Sequence, residues 1–402
     1  MRRASRLAAW LFVGVSASVL GCAHERVSEP DYRLFRMGGA DLARTGHGAL
    51  RVTWRKELTP ARRGNYRPIE NAVAAIDDVH GRVYVGAQSG NLHALGFDGR
   101  PLYRFELHES IESEPALDVQ ADELYVGTER GELYALTPST GKIRWRVASG
   151  GAIRRRPVLY RDAVYVITEE DVVEGRARSD GSVLWSYKRD RSDGFLVAGH
   201  AGLSLTPDGR LLTAFSDGTI VALDALDGRA KWERSTAPDA PEAEPGRPQY
   251  TDTDATPALV GEHVYAASFG AGLYCLDQRN GSVVWREPEW TGITGLSVAD
   301  EGALLLVSAD RGVARFDVAA RRAVWTKPQE RGYFGNPEVH DGLVLLGDSK
   351  GSLVALDVAR GDELGRIDTG HGFVARAAVA AGRGFVLSNG GTLLAMRVVA
   401  PK

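Results

Sequence analysis

The chain has 402 residues, 44% hydrophobic and 25% charged, with a formal net charge of −3. That balance belongs to a folded globular protein, and the length exceeds what one compact core fills, so the chain is either several domains or an array of small cores. No block of lysines or arginines offers a face to a polyanion, which excludes nucleic acid as an expected partner.

Residues 1–21 carry the marks of an export signal. Arg2, Arg3 and Arg6 make a basic start, and residues 7–20 form an apolar run too short to span a bilayer stably as a helix. The run ends in Val19-Leu20-Gly21-Cys22, which resembles the lipobox of bacterial lipoproteins. The resemblance implies cleavage before Cys22 and acylation of its thiol. Loss of residues 1–21 removes three arginines and takes the net charge from −3 to −6. Cys275 is then the remaining thiol and no internal disulfide is expected. Its place in Leu273-Tyr274-Cys275-Leu276-Asp277 predicts a buried core residue. Residues 22–48, rich in charge and glycine, are expected to tether the lipid to a folded domain at 49–400.

From there one pattern recurs, as in GELYALTPSTGKIRW (131–145), GTIVALDALDGRAKW (218–232) and GLYCLDQRNGSVVW (272–285). An apolar run leads to a turn that ends in Gly, and an aromatic follows four residues later. The slot is filled by Tyr103, Trp145, Trp185, Trp232, Trp285, Trp325 and Gly365, at spacings of 42, 40, 47, 53, 40 and 40 residues. A period near 40 to 45 residues is that of propeller blades. With Trp54, six of the eight tryptophans occupy this slot, and each is expected to wedge between neighbouring blades. Within one unit the pattern predicts strands at 124–127, 132–136 and 142–147, with a further strand upstream in SEPALDV. Thr219-Ile220-Val221-Ala222-Leu223 is read as a strand of period two. Turns such as Asp180-Gly181, Asp227-Gly228 and Asn280-Gly281 supply the positive φ of tight hairpins. Residues 236–249, rich in Pro and Glu, account for the spacing of 53 and are expected as an exposed loop.

After Gly365 the chain provides three more strands, and the missing fourth lies near the start, in GALRVTWRKEL around Trp54. Pairing the two hides both terminal edges. The expected fold is therefore an all-β, eight-bladed β-propeller of four-stranded antiparallel blades, closed by an N-terminal strand on the C-terminal blade.

The Ala-Leu-Asp-x-x-x-Gly-x-x-x-Trp pattern resembles the PQQ-like β-propeller repeat over residues 50–399. Tyr103 and Gly365 in place of Trp, Arg321 in place of the turn Gly and Thr137 in place of Asp are departures in single units. With the lipobox, the blade count and the segments TDTDATPALV and GLVLLGDSKGSLVALDVARG, the chain resembles more narrowly the BamB family of propeller lipoproteins. That resemblance implies a non-catalytic scaffold at the outer membrane, facing the periplasm, held by its N-terminal lipid. It implies, as partner, the periplasmic POTRA domains of a BamA-like protein, with the chain a monomer within the complex.

The loops between blades are expected on one face around the channel. They hold Ile111, Glu112 and Glu114; Arg154, Arg155 and Arg156; Asp252 and Asp254; Trp290; Tyr333 and Phe334; and Arg376. Mixed charge with aromatics has the composition of a protein-docking rim. Asp252 and Asp254 match the two aspartates of the family's Asp-x-Asp-x-Thr-Pro motif, which the resemblance implies contact BamA. Capping the turn before Pro257 is their bland alternative. A Leu-x-Leu-Arg segment of the family corresponds here to Phe195-Leu196-Val197-Ala198, which keeps Phe195 and Val197 as apolar contacts but loses the arginine. Trp290 beside the paired aspartates has the make-up of a binding hot spot, and substitutions in these loops are expected to leave stability intact. No metal-ligand spacing and no Ser/His/Asp set is present, so neither a cofactor nor catalysis is expected. The rival class, PQQ-dependent dehydrogenases, shares the repeat, but the adjacent cysteine pair common in its alcohol-oxidising members is absent from this sequence.

Overall fold

The computed structural model describes residues 47–59, 69–189, 201–241, 250, 252–329 and 332–399. The strands form eight sheets, each one blade. Blades 1 to 8 occupy, in order, residues 75–106, 116–148, 158–188, 204–235, 258–287, 293–327, 338–367 and 378–398. In blade 2 the order is an inner strand, Ala116–Asp118, two middle strands, Glu123–Gly127 and Glu132–Thr137, and an outer strand, Lys142–Ala148. These bounds agree with the expected strands to within a residue.

Burial follows position in the blade. The middle strands are sandwiched between the neighbouring blades, so both of their faces leave water: all of Glu123–Gly127, Ala163–Thr168 and Leu343–Gly347 is buried. Thr219–Asp224 is a strand as expected, but every residue except Asp224 is buried, so it is not the half-exposed strand that a period of two describes. Outer strands have only one packed side. Arg322–Lys327 alternates between exposed and partly buried residues accordingly.

A bulge recurs at one place in every blade. The ladder between the third and fourth strands slips just before the aromatic slot, as between Ile143 and Trp145, and again where Ala222 faces Trp232 while Leu223 faces Ala230. The extra residue turns outward, which explains the exposure of Leu102, Leu184, Val284 and Val324. The slot residue itself turns onto the next blade. Trp145, Trp185, Trp232 and Trp325 donate their indole N–H to the carbonyls of Arg178, Ala225, Gln278 and Val358, at 2.9 to 3.0 Å. Trp54 reaches Phe97 of blade 1 in the same way at 2.7 Å, and Tyr103 donates its hydroxyl to Pro138 of blade 2 at 2.5 Å. Each ring lies on the turn of the following blade. Gly228 shows why that turn carries glycine: its φ is +72°, and a Cβ there would come within 2.5 Å of the Trp185 ring. Opposite Trp285 the turn residue is Arg321, at φ +52°, and the Trp285 ring packs on Phe316.

The ring closes as expected. Leu50–Glu57 pairs with Thr392–Val398 as the outer strand of blade 8, Leu50 opposite Val398 and Glu57 opposite Thr392. Just before it, His47–Gly48 adds a short fifth strand to blade 7, with Gly48 opposite Gly365. This explains the missing tryptophan at Gly365. The chain itself crosses there, so closely that a Cβ on Gly48 would meet the Leu364 carbonyl oxygen at 1.8 Å. Leu50 is fully buried and fills the space between blades 7 and 8, among Leu345, Ala355, Phe373 and Met396.

Candidate functional site

The loops that link one blade's outer strand to the next blade's inner strand gather on one face, where the channel opens. Their charged residues are paired with one another. Arg376, ahead of blade 8, bonds both Glu338 of blade 7 and Glu114 ahead of blade 2. Glu114 also takes Arg156, ahead of blade 3, at 3.3 Å. One chain of ion pairs thus joins blades 7, 8, 2 and 3. Beside it Arg154 is gripped by Glu129 at 2.8 Å and Glu169 at 3.4 Å, with Glu112 at 3.8 Å. Burial, and then the nearby Glu129, hold the Glu112 carboxyl above the ordinary carboxylate range.

The residues singled out from the sequence do lie on this face, but several are not exposed. Asp252 and Asp254 are buried, as is Thr253 between them. Burial first, then the charge of Asp252, push the Asp254 carboxyl up to about 8, while Arg155 pulls the other way. Arg155 comes from the loop ahead of blade 3 and approaches the Asp254 carbonyl at 3.5 Å. The rest of the motif is structural: Thr256 accepts the Gly202 N–H at 2.8 Å, and the Pro257 carbonyl accepts the Ser204 hydroxyl at 2.6 Å. Trp290 is buried, edge-on to Phe316 at 5.6 Å between centroids, with the Arg311 guanidinium 5.0 Å above its ring. Ile111 and Phe334 are likewise buried, and Tyr333 is exposed. The expectation that substitutions here leave stability intact is therefore corrected for Asp252, Asp254 and Trp290. Large or charged side chains that are sealed from water contribute to the fold. Phe195 and Val197, and Cys22, lie outside the described residues.

Sequence reasoning missed the pairings: Arg376 with Glu114, Arg311 over Trp290, Arg155 beside Asp254. Repeat alignment finds equivalent positions but not which of them meet: Arg376 and Glu114 hold the same position in different blades, while the other two contacts join non-equivalent positions. Cys275 is buried as expected, and burial pushes its thiol up to about 11, which makes it a poor nucleophile at neutral pH. Among the described residues no group of three His, Cys, Asp or Glu could hold a metal ion.

A closed ring of eight blades, wedged by tryptophan and crossed at one mouth by ion pairs, defines a PQQ-repeat-like propeller with a polar loop face. The chain belongs to the family described as outer membrane protein assembly factor BamB, whose profile matches residues 98–327. It is 27% identical over 167 residues to the factor of that description from Shewanella oneidensis, covering 41% of this chain and 40% of that one. With the Burkholderia pseudomallei protein of the same description it shares 26% identity over 276 residues, 68% of each chain. The Yersinia pestis relative, also so described, matches at 23% over 235 residues, 56% of this chain and 58% of that one. The chain thus spans less than two thirds of two of these three relatives. Among solved structures, BamB from Moraxella catarrhalis superimposes with a TM-score of 0.72 at 22% identity, over 87% of this chain and 99% of that one. A quinohemoprotein alcohol dehydrogenase from Pseudomonas putida has the same fold, with a TM-score of 0.65 at 13% identity over 88% and 77% of the two chains.

Proposed function

We propose that this chain is a non-catalytic scaffold that assists the assembly of outer-membrane β-barrel proteins by binding the POTRA domains of a BamA-like protein through its loop face. The observation that carries the reading is the family match over residues 98–327, which includes the Asp252-x-Asp254-x-Thr256-Pro257 motif. The buried aspartate pair sets the shape of that face from beneath, while exposed residues such as Tyr333, and the segment around Phe195 and Val197, supply the contacts. Cys22 carries the lipid that holds the scaffold at the outer membrane, facing the periplasm. Co-purification with BamA in mild detergent tests the partner, and a tagged chain that brings down no BamA overturns it. Cys22→Ala tests the anchor: once a high-salt wash has released chains held by protein contacts, the variant should leave the membrane fraction, because the acyl chains are its direct hold on the bilayer. Retention after a salt wash would refute lipid anchoring.

The dehydrogenase reading draws on the shared fold alone. An absorbance band of a quinone cofactor in purified protein would favour it over a scaffold.

A further inference from the structure

The inner strands do not ring the channel evenly. From blade 5 through blades 6, 7, 8 and 1 to blade 2, each packs closely on the next. Between the inner strands of blades 2, 3 and 4 lies a cavity of about 530 Å³, within the size range of small-molecule sites. Its wall is part apolar, with Leu117 and Val119 from blade 2, Pro157 and Val158 from blade 3 and Leu205 from blade 4, and part polar, with Asp118, Gln120 and Arg156. At the loop-face end stands Arg156.

The polar groups of this cavity differ in how far they are engaged. Asp118, at the other end, accepts from Arg178 at 2.5 Å and from the Ala121 N–H at 3.0 Å, and the Arg178 bond holds its carboxyl below the ordinary range. Its charge is spoken for. Arg156 is more than half exposed, and its ion pair is with Glu114 at 3.3 Å. Glu114 is shared with Arg376, which it holds at the shorter distance of 2.5 Å. Much of the Arg156 fork of five N–H donors is therefore open to a ligand. An open cavity with an apolar stretch of wall and an available guanidinium at its mouth matches a molecule with an apolar body and a carboxylate end, since guanidinium and carboxylate pair bidentately.

We infer that the cavity between blades 2, 3 and 4 binds a short apolar chain ending in a carboxylate, with Arg156 holding the carboxylate. A neutral apolar molecule would fill the wall but leave the guanidinium unmatched. The inference stands whether or not the chain binds BamA. Two sources share this chemistry, a medium-chain fatty acid and the free C-terminus of an apolar peptide.

Isothermal titration of the purified full-length chain decides it, with decanoate, decan-1-ol, N-acetyl-Leu-Val-Leu and its C-terminal amide as probes. At least one carboxylate should bind more tightly than its neutral counterpart, and the tighter carboxylate identifies the source. Arg156→Gln should weaken that carboxylate roughly tenfold or more, the worth of a charge-assisted bond, and leave the neutral probe unchanged. Val119→Trp should block all probes by filling the cavity. Val119 belongs to none of the buried core clusters, so this variant tests the site even if Arg156→Gln disturbs the ion-pair chain. Absence of binding by every probe overturns the inference, as does carboxylate binding that Val119→Trp leaves untouched.

Discussion

Arg376 and Glu114 form an ion pair at 2.5 Å across the mouth of the channel, although 262 residues separate them in the chain and blade 1 lies between their blades. The same guanidinium holds Glu338, so its removal would strand the largely buried Glu338 carboxylate and leave Glu114 with Arg156 alone. Arg376→Ala is expected to cost about 3 kcal/mol in urea unfolding. Arg376→Lys should recover only part of it, because one ammonium cannot match the two-sided fork. A loss below about 0.5 kcal/mol would place the pair among solvent-screened contacts.

The tryptophan wedges should be sensitive from either side of the blade interface. Trp185→Ala removes a buried ring and should cost about 3 to 5 kcal/mol. Trp185→Phe, which loses chiefly the N–H bond to the Ala225 carbonyl, should cost about 1 kcal/mol. Gly228→Ala meets both a positive φ and the Trp185 ring, and a loss of roughly 1 to 3 kcal/mol is expected. In a Trp185→Ala background the steric part should shrink, and equal losses in both backgrounds would leave backbone strain as the sole cause.

Ring closure rests on the N-terminal strand. Deleting residues 50–58 takes the outer strand from blade 8 and Leu50 from the core between blades 7 and 8. Thermal unfolding should move to lower temperature and lose cooperativity. An unchanged transition would mean that the ring closes by other contacts.

The pair Asp252 and Asp254 makes stability depend on pH. Burial and the neighbouring Asp252 push the Asp254 carboxyl up from 3.8 to about 8, so between those pH values the folded state holds a proton that the unfolded state has released. Its contribution is therefore fully present below about pH 4, declines as pH rises, and is gone once pH passes about 8. Asp254→Asn keeps the neutral shape and should flatten the difference in stability between pH 5 and pH 8. Parallel pH profiles for variant and parent would show that Asp254 is ionised in the fold.

Trp290 separates packing from docking. Trp290→Ala should cost about 3 to 5 kcal/mol, since the ring is buried against Phe316. Arg311→Ala removes the cation above that ring and should cost about 1 kcal/mol or less. If Trp290→Ala unfolds like the parent yet fails to bind BamA, the ring is a docking anchor rather than a core residue.

The architecture was legible in the amino-acid sequence because propeller blades repeat a local pattern. A turn Gly followed four residues later by Trp is a short-range requirement, set by the positive φ of the turn and by the bulge that swings the indole onto the next blade, so it recurs wherever a blade does. The placement of Trp54 ahead of the first unit and of three strands after the last one carried the closure as well. What the tertiary structure alone decided is which polar residues meet. Arg376 with Glu114, Arg155 beside Asp254 and Arg311 over Trp290 join different blades or different positions of the repeat, and no spacing along the chain encodes those distances. Burial was hidden for the same reason. Asp252, Asp254 and Trp290 have the composition of an exposed rim, but the loops of neighbouring blades converge at the channel mouth and cover them. Gly365, a lone defect in the repeat, has its reason only in the folded ring, where the N-terminal chain passes across it.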